Sequence, residues 1–387
     1  MSSHRFSHIA VLLCCATQAV AAAEEENDTL SVNADISQTW DSNYNREPGS
    51  SSEQITRASL GTGINTTLSR QTLSASLGAA RYRHNRRDFL DATLYRGGLG
   101  WRGPIGNRLS FALSWSYRDR LAERIDFVGK DVINLDEKNA AVKYAIFSGW
   151  ALVGGARDAE QTHSNDDRES LDYEERDYSA GLQYTSGRKS TVTLKFTEGD
   201  RHYLHPGEGD VPGVDPQDDL DYDYQRMAFE TEWQMTGKTK LTGTLGYFDR
   251  DGEVNSGNGL ETSIQTDWAA TDKTDLILIY AFDQPPVGED SENPSEAHIV
   301  SARVAWEWTS KITVETAVRA AFQEYDDTLE RVARDEKSYG WVPLLLRYQL
   351  NNAISVRFVS GWQQRESPID ERNYTAREFS LGLAGEF

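Results

Sequence analysis

His163, Ser164 and Asn165 are the residue types of a hydrolase triad, standing side by side in the chain. Such a triad works through three side chains converging on one point, and consecutive side chains of an extended chain point to opposite faces. His202 and His205 offer two imidazoles, but that spacing puts both on one side only on a helix, and no third ligand is indicated. The run DDLDYDY at 218–224 is acidic enough to attract calcium, yet it lacks the D-x-D-x-D-G-x5-E spacing of a calcium loop. There is no G-x-S-x-G elbow, no H-E-x-x-H and no P-loop. These residues predict no enzyme, no metal site and no cofactor.

Charge narrows the classes further. Asp and Glu number 61 against 40 Lys and Arg, a net charge of −21, which is the wrong sign for a nucleic-acid partner. Hydrophobic residues make up only 38%, yet there are 10 Trp, 17 Tyr and 13 Phe. The question is where a polar, aromatic-rich chain keeps its apolar groups.

Residues 1–23 read as a secretory signal: Arg5, an apolar or small stretch from 9 to 23, and Ala21-Ala22-Ala23 as the cleavage pattern. The stretch is short for a bilayer-spanning anchor. Leu13, ahead of Cys14, is not the small residue of a lipoprotein signal. Cys14 and Cys15 both fall in this segment, so residues 24–387, read as one domain, offer no disulfide and no thiolate. The longest later apolar run, 276–282, is seven residues. Any membrane-spanning structure must then be a closed β-barrel, the other solution that satisfies every backbone group in lipid.

The hydrophobic period is two from end to end. Leu109, Phe111, Leu113, Trp115 and Tyr117 alternate with Ser110, Ala112, Ser114 and Ser116. Leu30, Val32, Ala34, Ile36 and Trp40 open the pattern, and Phe379, Leu381, Leu383, Gly385 and Phe387 close it. The count is about eighteen antiparallel strands, with sixteen the alternative, of roughly 10 residues each, the length of a tilted transmembrane strand. Short connections (69–71, 102–107, 185–190, 236–240, 270–274, 309–311, 350–352) alternate with long ones (41–53, 118–138, 157–177, 198–223, 248–259, 283–297, 323–338, 363–374). Short turns on one side and long loops on the other describe an outer-membrane barrel. A soluble sandwich has no reason to sort loop lengths this way, and a propeller would repeat every ~40–50 residues with a blade signature.

Aromatics mark both strand ends. Trp101, Trp233, Trp268 and Trp308 precede short turns, while Trp40 and Trp362 stand at the start of long loops, as two interfacial girdles would require. Loops 157–177, 198–223 and 283–297 carry net charges of −6, −8 and −5. On the outer surface such loops are solvated, and they are compatible with divalent-bridged lipopolysaccharide.

With the apolar parity facing lipid, the opposite parity faces a polar lumen. It carries Arg57, Arg96, Arg226, Arg303, Arg319, Arg347 and Arg357, and among the acids Asp35, Glu230, Glu232, Glu261, Asp267, Glu307 and Glu315, with Gly61, Gly63, Gly98, Gly100 and Gly181 leaving space. Arg303, Arg319, Arg347 and Arg357 fall on neighbouring strands and would form a basic stripe favouring an anionic solute. The alternative is an Arg–Glu ladder that neutralises itself. Ile277 and Ile279 break the rule by facing inward.

The opening DTLSVNADISQTWDSNYNRE, the segment WQMTGKTKLTGTLGYFDRDG and the closing SLGLAGEF resemble the exopolysaccharide-operon outer-membrane barrels, the EpsL-like β-barrel porins. The likeness lies in strand rhythm and a T-G-K-T turn. It implies an outer-membrane passage tied to exopolysaccharide synthesis or export, with lipid, lipopolysaccharide, the barrel-assembly machinery and polysaccharide or its export proteins as partners. The terminal Phe387 resembles the signal which that machinery reads. Barrels that sheath multihaem cytochromes often carry an early cysteine pair, which residues 24–387 lack. The competing expectations are a general or anion-leaning porin for small solutes and a structural or adhesive barrel with partner-binding loops.

Overall fold

The computed structural model describes residues 30–49, 51–122, 127, 129–205, 219–286, 295–325 and 334–387. The signal segment 1–23 and much of the acidic loops (206–218 and 287–294) lie outside the described residues. Eighteen strands follow one another. The first six are β1 Ser31–Asp41, β2 Glu53–Leu68, β3 Gln71–His84, β4 Ala92–Ile105, β5 Leu109–Leu121 and β6 Val132–Phe147. The next six are β7 Trp150–His163, β8 Tyr173–Thr185, β9 Thr191–Tyr203, β10 Tyr222–Thr236, β11 Thr239–Gly252 and β12 Gly257–Thr271. The last six are β13 Thr274–Asp283, β14 Glu296–Thr309, β15 Ile312–Tyr325, β16 Arg334–Gln349, β17 Ile354–Glu366 and β18 Tyr374–Glu386.

Each strand pairs antiparallel with its sequence neighbours, and β1 pairs with β18 from Asn33↔Glu386 to Asp41↔Glu378. The sheet therefore closes into a ring with no free edge, which removes the unpaired backbone an open sheet would expose. Phe387 completes the seam: its N–H donates to Val32 O at 2.8 Å, and its carbonyl accepts from Val32 N at 2.7 Å. No helix among the described residues is long and apolar enough to cross a membrane.

The alternation read from the sequence becomes a sorting of side chains between two faces. Leu60 (61% exposed), Leu77 (65%) and Leu99 (56%) project outward from adjacent strands. Burying a leucine is worth roughly 1.5–3 kcal/mol, so a ring of such residues left bare calls for hydrocarbon around it. Their neighbours in sequence, such as Ser59, Ser76 and Gly98, point to the interior.

One strand changes parity. In β16 the register slips between Trp341 and Leu344, where Pro343 has no N–H to give to the ladder. Trp341 and Leu346 face out, whereas Val342 and Leu345 turn inward and pack on Val359 and Ala317.

The strands run longer than the roughly 10 residues expected, at 10 to 16. Their polar upper parts continue the ladder beyond the apolar band, and charged residues in alternation there read as loop in the sequence. Three hairpins also hold short 3-10 turns, Asp88–Leu90, Asp166–Leu171 and Asp370–Arg372. In each, the residue just after the turn reaches back to the end of the preceding strand. Asp91 accepts from His84 N at 2.8 Å, Asp172 from His163 N at 2.7 Å and Asn373 from Ser367 N at 2.8 Å.

Candidate functional site

The inward face is the place where this fold can act on a solute, and its two sides differ. On β3, β4 and β5 the inward residues, Tyr82 and Leu94 apart, are mostly small or basic: Ser74, Ser76, Arg96, Arg102, Ser114, Ser116 and Arg118 are all exposed. Arg96 and Arg118 stand directly opposite each other on β4 and β5. Arg96 lies across Gly78 of β3, where a Cβ would come within 2.6 Å of its Nε. A side chain at 78 would displace the guanidinium from the wall, and glycine lets it lie there. The inward positions of these three strands hold no carboxylate. Among the described residues, no acid lies within ion-pair distance of Arg96, Arg102, Arg118 or Arg120.

The inward positions of β7 to β10 are filled instead. Glu175, fully buried, takes Arg201 at 2.6 Å and Arg157 at 3.0 Å, and accepts from the Tyr224 hydroxyl at 2.9 Å. Arg201 stacks on Tyr173, its guanidinium carbon 4.0 Å from the ring centroid. Tyr203, Tyr222 and Leu220 complete the packing. Across the barrel, Glu336 is held by Arg334 at 2.9 Å, Arg365 at 3.1 Å and Arg372 at 2.5 Å. Charges buried this way are paired because an unpaired one would be costly.

The stripe expected on β14 to β17 also lies on the inward face, but as a ladder. Arg303 pairs with Glu315 at 3.0 Å, and Arg357 reaches Asp35 at 3.3 Å. Asp35 also takes Arg57 at 2.5 Å. Arg319 lies opposite Ser301 and Gly340, Arg347 opposite Arg357 and Thr313, and Glu307 opposite Thr313. Arg226 pairs with Glu261, Glu230 with Lys195 at 2.5 Å and Glu232 with Lys240 at 2.9 Å. Sequence reasoning singled out Arg96 but missed Arg118, Arg102 and Arg120. The alternation of 109–117 carried one step further would have placed Arg118 inward; it had been read as loop.

The connection between β1 and β2 folds into the mouth. The Tyr44 hydroxyl meets His84 Nε2 at 2.7 Å, and Arg46 reaches Asp41 at 2.7 Å, Glu378 at 2.5 Å and Gln363 at 3.2 Å. His84, Glu378 and Gln363 are inward residues of β3, β18 and β17. Burial alone would lower the Arg46 pKa; Asp41 and Glu378 outweigh it and hold the guanidinium above its ordinary value. The backbone N–H of His84, with the His84 ring and Arg81 adding to it, holds the Asp91 carboxyl below the usual range despite some desolvation.

The residues that suggested chemistry do other work. His163 Nδ1 meets Asp172 at 2.8 Å, the Ser164 hydroxyl accepts from Val132 N at 2.7 Å, and Asn165 accepts from Asp167 N at 3.0 Å. His202 faces outward and pairs with Asp221. Among the described residues no three His, Cys, Asp or Glu stand close enough to hold a metal ion.

The indoles project outward near strand ends. Trp101, Trp233, Trp268 and Trp308 lie toward the short turns, and Trp40 and Trp362 toward the long connections. Phe387 is 68% exposed beside the seam.

No family model matches the sequence, and no curated protein does. Solved structures do match in fold. OccK2 (OpdF) of Pseudomonas aeruginosa superposes with a TM-score of 0.52 at 13% identity, over 93% of this chain and 97% of that one. The same protein in complex with glucuronate gives 0.51 at 13% identity, over 93% and 96%. A BenF-like porin of Pseudomonas fluorescens Pf-5 gives 0.50 at 9% identity, over 93% and 99%. At these identities the likeness concerns the fold: a closed, 18-stranded antiparallel barrel of the kind found in outer-membrane porins.

Proposed function

We propose that the chain is an outer-membrane channel for small hydrophilic solutes, with a preference for anions. The observation that carries this reading is the water-exposed inner wall of β3 to β5, lined by serines and by arginines that, among the described residues, have no acid within ion-pair distance, the charge of Glu137 on β6 reaching only Arg118 among them. A cation ring or track of this kind lowers the barrier for anions and raises it for cations. The solute path runs along that wall, because the inward positions of β7 to β10, and those around Glu336 on β16 and β17, are taken up by paired, buried side chains. In planar bilayers the protein should form steps of conductance with a reversal potential displaced toward the anion. A chain that inserts without conducting would overturn the proposal.

A role in exopolysaccharide synthesis or export is the second reading. The three segments that resemble the EpsL-like barrels support it, and the fold fits it as well as it fits a general porin. Deleting the gene and weighing surface polysaccharide tests it; an unchanged yield would end it.

A further inference from the structure

The residues between strands at the eight short turns include seven bases and one acid, Asp272, in a chain whose net charge is −21. Four of those bases occupy the same place. Arg108, Lys238, Lys273 and Lys311 each stand immediately before the strand that leaves the turn, and all four are exposed. Their backbone is tied to the next hairpin. The Arg108 carbonyl accepts from Ala145 N, that of Lys238 from Ala269 N, that of Lys273 from Glu307 N and that of Lys311 from Gln349 N, each at 2.8 Å. In the three lysine turns a threonine two residues earlier fixes the corner as well: Thr236, Thr271 and Thr309 accept from the lysine N–H at 3.1 to 3.2 Å.

The residue before each of those donors is an aromatic on the outer face, paired across with the residue that follows the base. Tyr144 stands beside Arg108, Trp268 beside Lys238, Trp306 beside Lys273 and Tyr348 beside Lys311. One cation and one outward ring thus recur as a unit. Two other turns lack it. Before β7 the place belongs to Gly149, at a φ of +78°, where a Cβ would come within 2.7 Å of the Thr185 carbonyl oxygen. Before β17 it belongs to Ala353, and Gly385 stands where the ring would be.

Interfacial tyrosine and tryptophan settle at headgroup level, so each base sits where lipid phosphates lie, on the short-turn, periplasmic side. The leaflet on that side of an outer membrane is phospholipid. From Lys238 to Lys311 the units follow one another at two strand spacings, about 10 Å. Among the described residues no carboxylate lies within ion-pair distance of Arg108, Lys273 or Lys311. Lys238 has Asp272 at 3.2 Å, an exposed contact that contributes little.

Resting on the reading of the chain as an outer-membrane barrel, we propose that the short-turn rim binds anionic phospholipids of the inner leaflet, one headgroup phosphate to each cation–aromatic unit. The base meets the phosphate, and the ring lies against the glycerol and the first acyl carbons. A zwitterionic headgroup brings its own ammonium, which already offsets the phosphate and is repelled by a rim of bare cations. A headgroup without an ammonium leaves its whole charge to the rim.

The test is native mass spectrometry of the chain in detergent with equal amounts of phosphatidylglycerol and phosphatidylethanolamine. Wild type should retain phosphatidylglycerol about fivefold over phosphatidylethanolamine. Lys238→Gln, Lys273→Gln and Lys311→Gln together should bring that ratio down towards one, whereas Lys238→Arg, Lys273→Arg and Lys311→Arg should keep it. Arg81→Gln with Arg83→Gln, on the outward face at the long-loop end of β3, should leave it unchanged. Equal retention of the two lipids by wild type overturns the proposal. A preference that survives the three glutamines, or that falls with the Arg81 and Arg83 pair, overturns its placement on the short-turn rim. A chain that shows the preference but does not conduct overturns the channel and leaves the rim standing.

Discussion

The inner wall of β3 to β5 and that of β7 to β10 are built on the same ladder, with the same alternation, and differ in what the inward positions carry. On the first, serines and glycines leave the backbone low and four arginines stand with no carboxylate within ion-pair distance among the described residues. On the second, Tyr173, Tyr203, Tyr222 and Tyr224 close over an Arg201–Glu175 pair that water does not reach. Arginine therefore means two things in this barrel. Where the surrounding residues are large and acidic, it is a structural ion that must stay paired. Where they are small and uncharged, its field is available to whatever enters the lumen. The ladder on β14 to β17 belongs with the packed side, since Arg303 and Arg357 have carboxylate partners.

Charge reversal on the open wall should give the largest effect on permeation. Arg96→Glu with Arg118→Glu should move the reversal potential from the anion to the cation side, while Arg303→Ala leaves it nearly where it was. If Arg303→Ala shifts it as far, the distinction between the walls fails. Removing an ion from the packed side should act on stability instead. Glu175→Ala leaves Arg201 and Arg157 short of a partner and should cost about 3–5 kcal/mol, read as a lower urea midpoint in lipid vesicles, with the selectivity ratio unchanged.

Steric filling sharpens the same contrast. Ser114→Trp places a large ring over the open wall and should reduce single-channel conductance several-fold. A drop of the same size for Thr193→Trp, on the already filled side, would mean the path does not follow β3 to β5. The smallest effect concerns the mouth. The Asp91 carboxyl is held below its ordinary pKa by His84 N–H, so its contribution is complete above the unfolded value of ~3.9 and is lost as pH falls below that, through the lowered folded value. Protease nicking of the β3–β4 connection should rise only under those acidic conditions, and Asp91→Asn should flatten the dependence. Nicking that rises already near pH 6 would assign the effect to another group.

Much of the fold was legible in the order of residues, and for a definable reason. A strand with lipid on one face and water on the other must alternate, so each of the eighteen segments read from 109–117 or 379–387 and their like falls on an observed strand, with Leu30 and Phe387 one residue beyond its ends. Loop lengths and indoles gave the two ends of the barrel. The upper strand portions were not legible. Above the apolar band both faces meet water, and the alternation of Asp136, Lys138 and Asp158 with their neighbours ceases to be one of hydrophobicity. The inner wall was half legible: parity placed Arg96 and Arg303 on the same face, and nothing in the chain told them apart.

Sequence alone determined the closed barrel, because period-two patterning with no membrane helix leaves lipid-exposed strands only one way to satisfy their backbone. Which charges are spent on one another and which remain for a solute was decided by the register across strands. Asp35 finds Arg57 and Arg357 from opposite sides of the β1 seam, although 322 positions separate it from the second. Arg96 stands opposite Gly78 on one side and Arg118 on the other. That outcome depends on neighbours brought together when the ring closes, and a linear pattern carries no record of them.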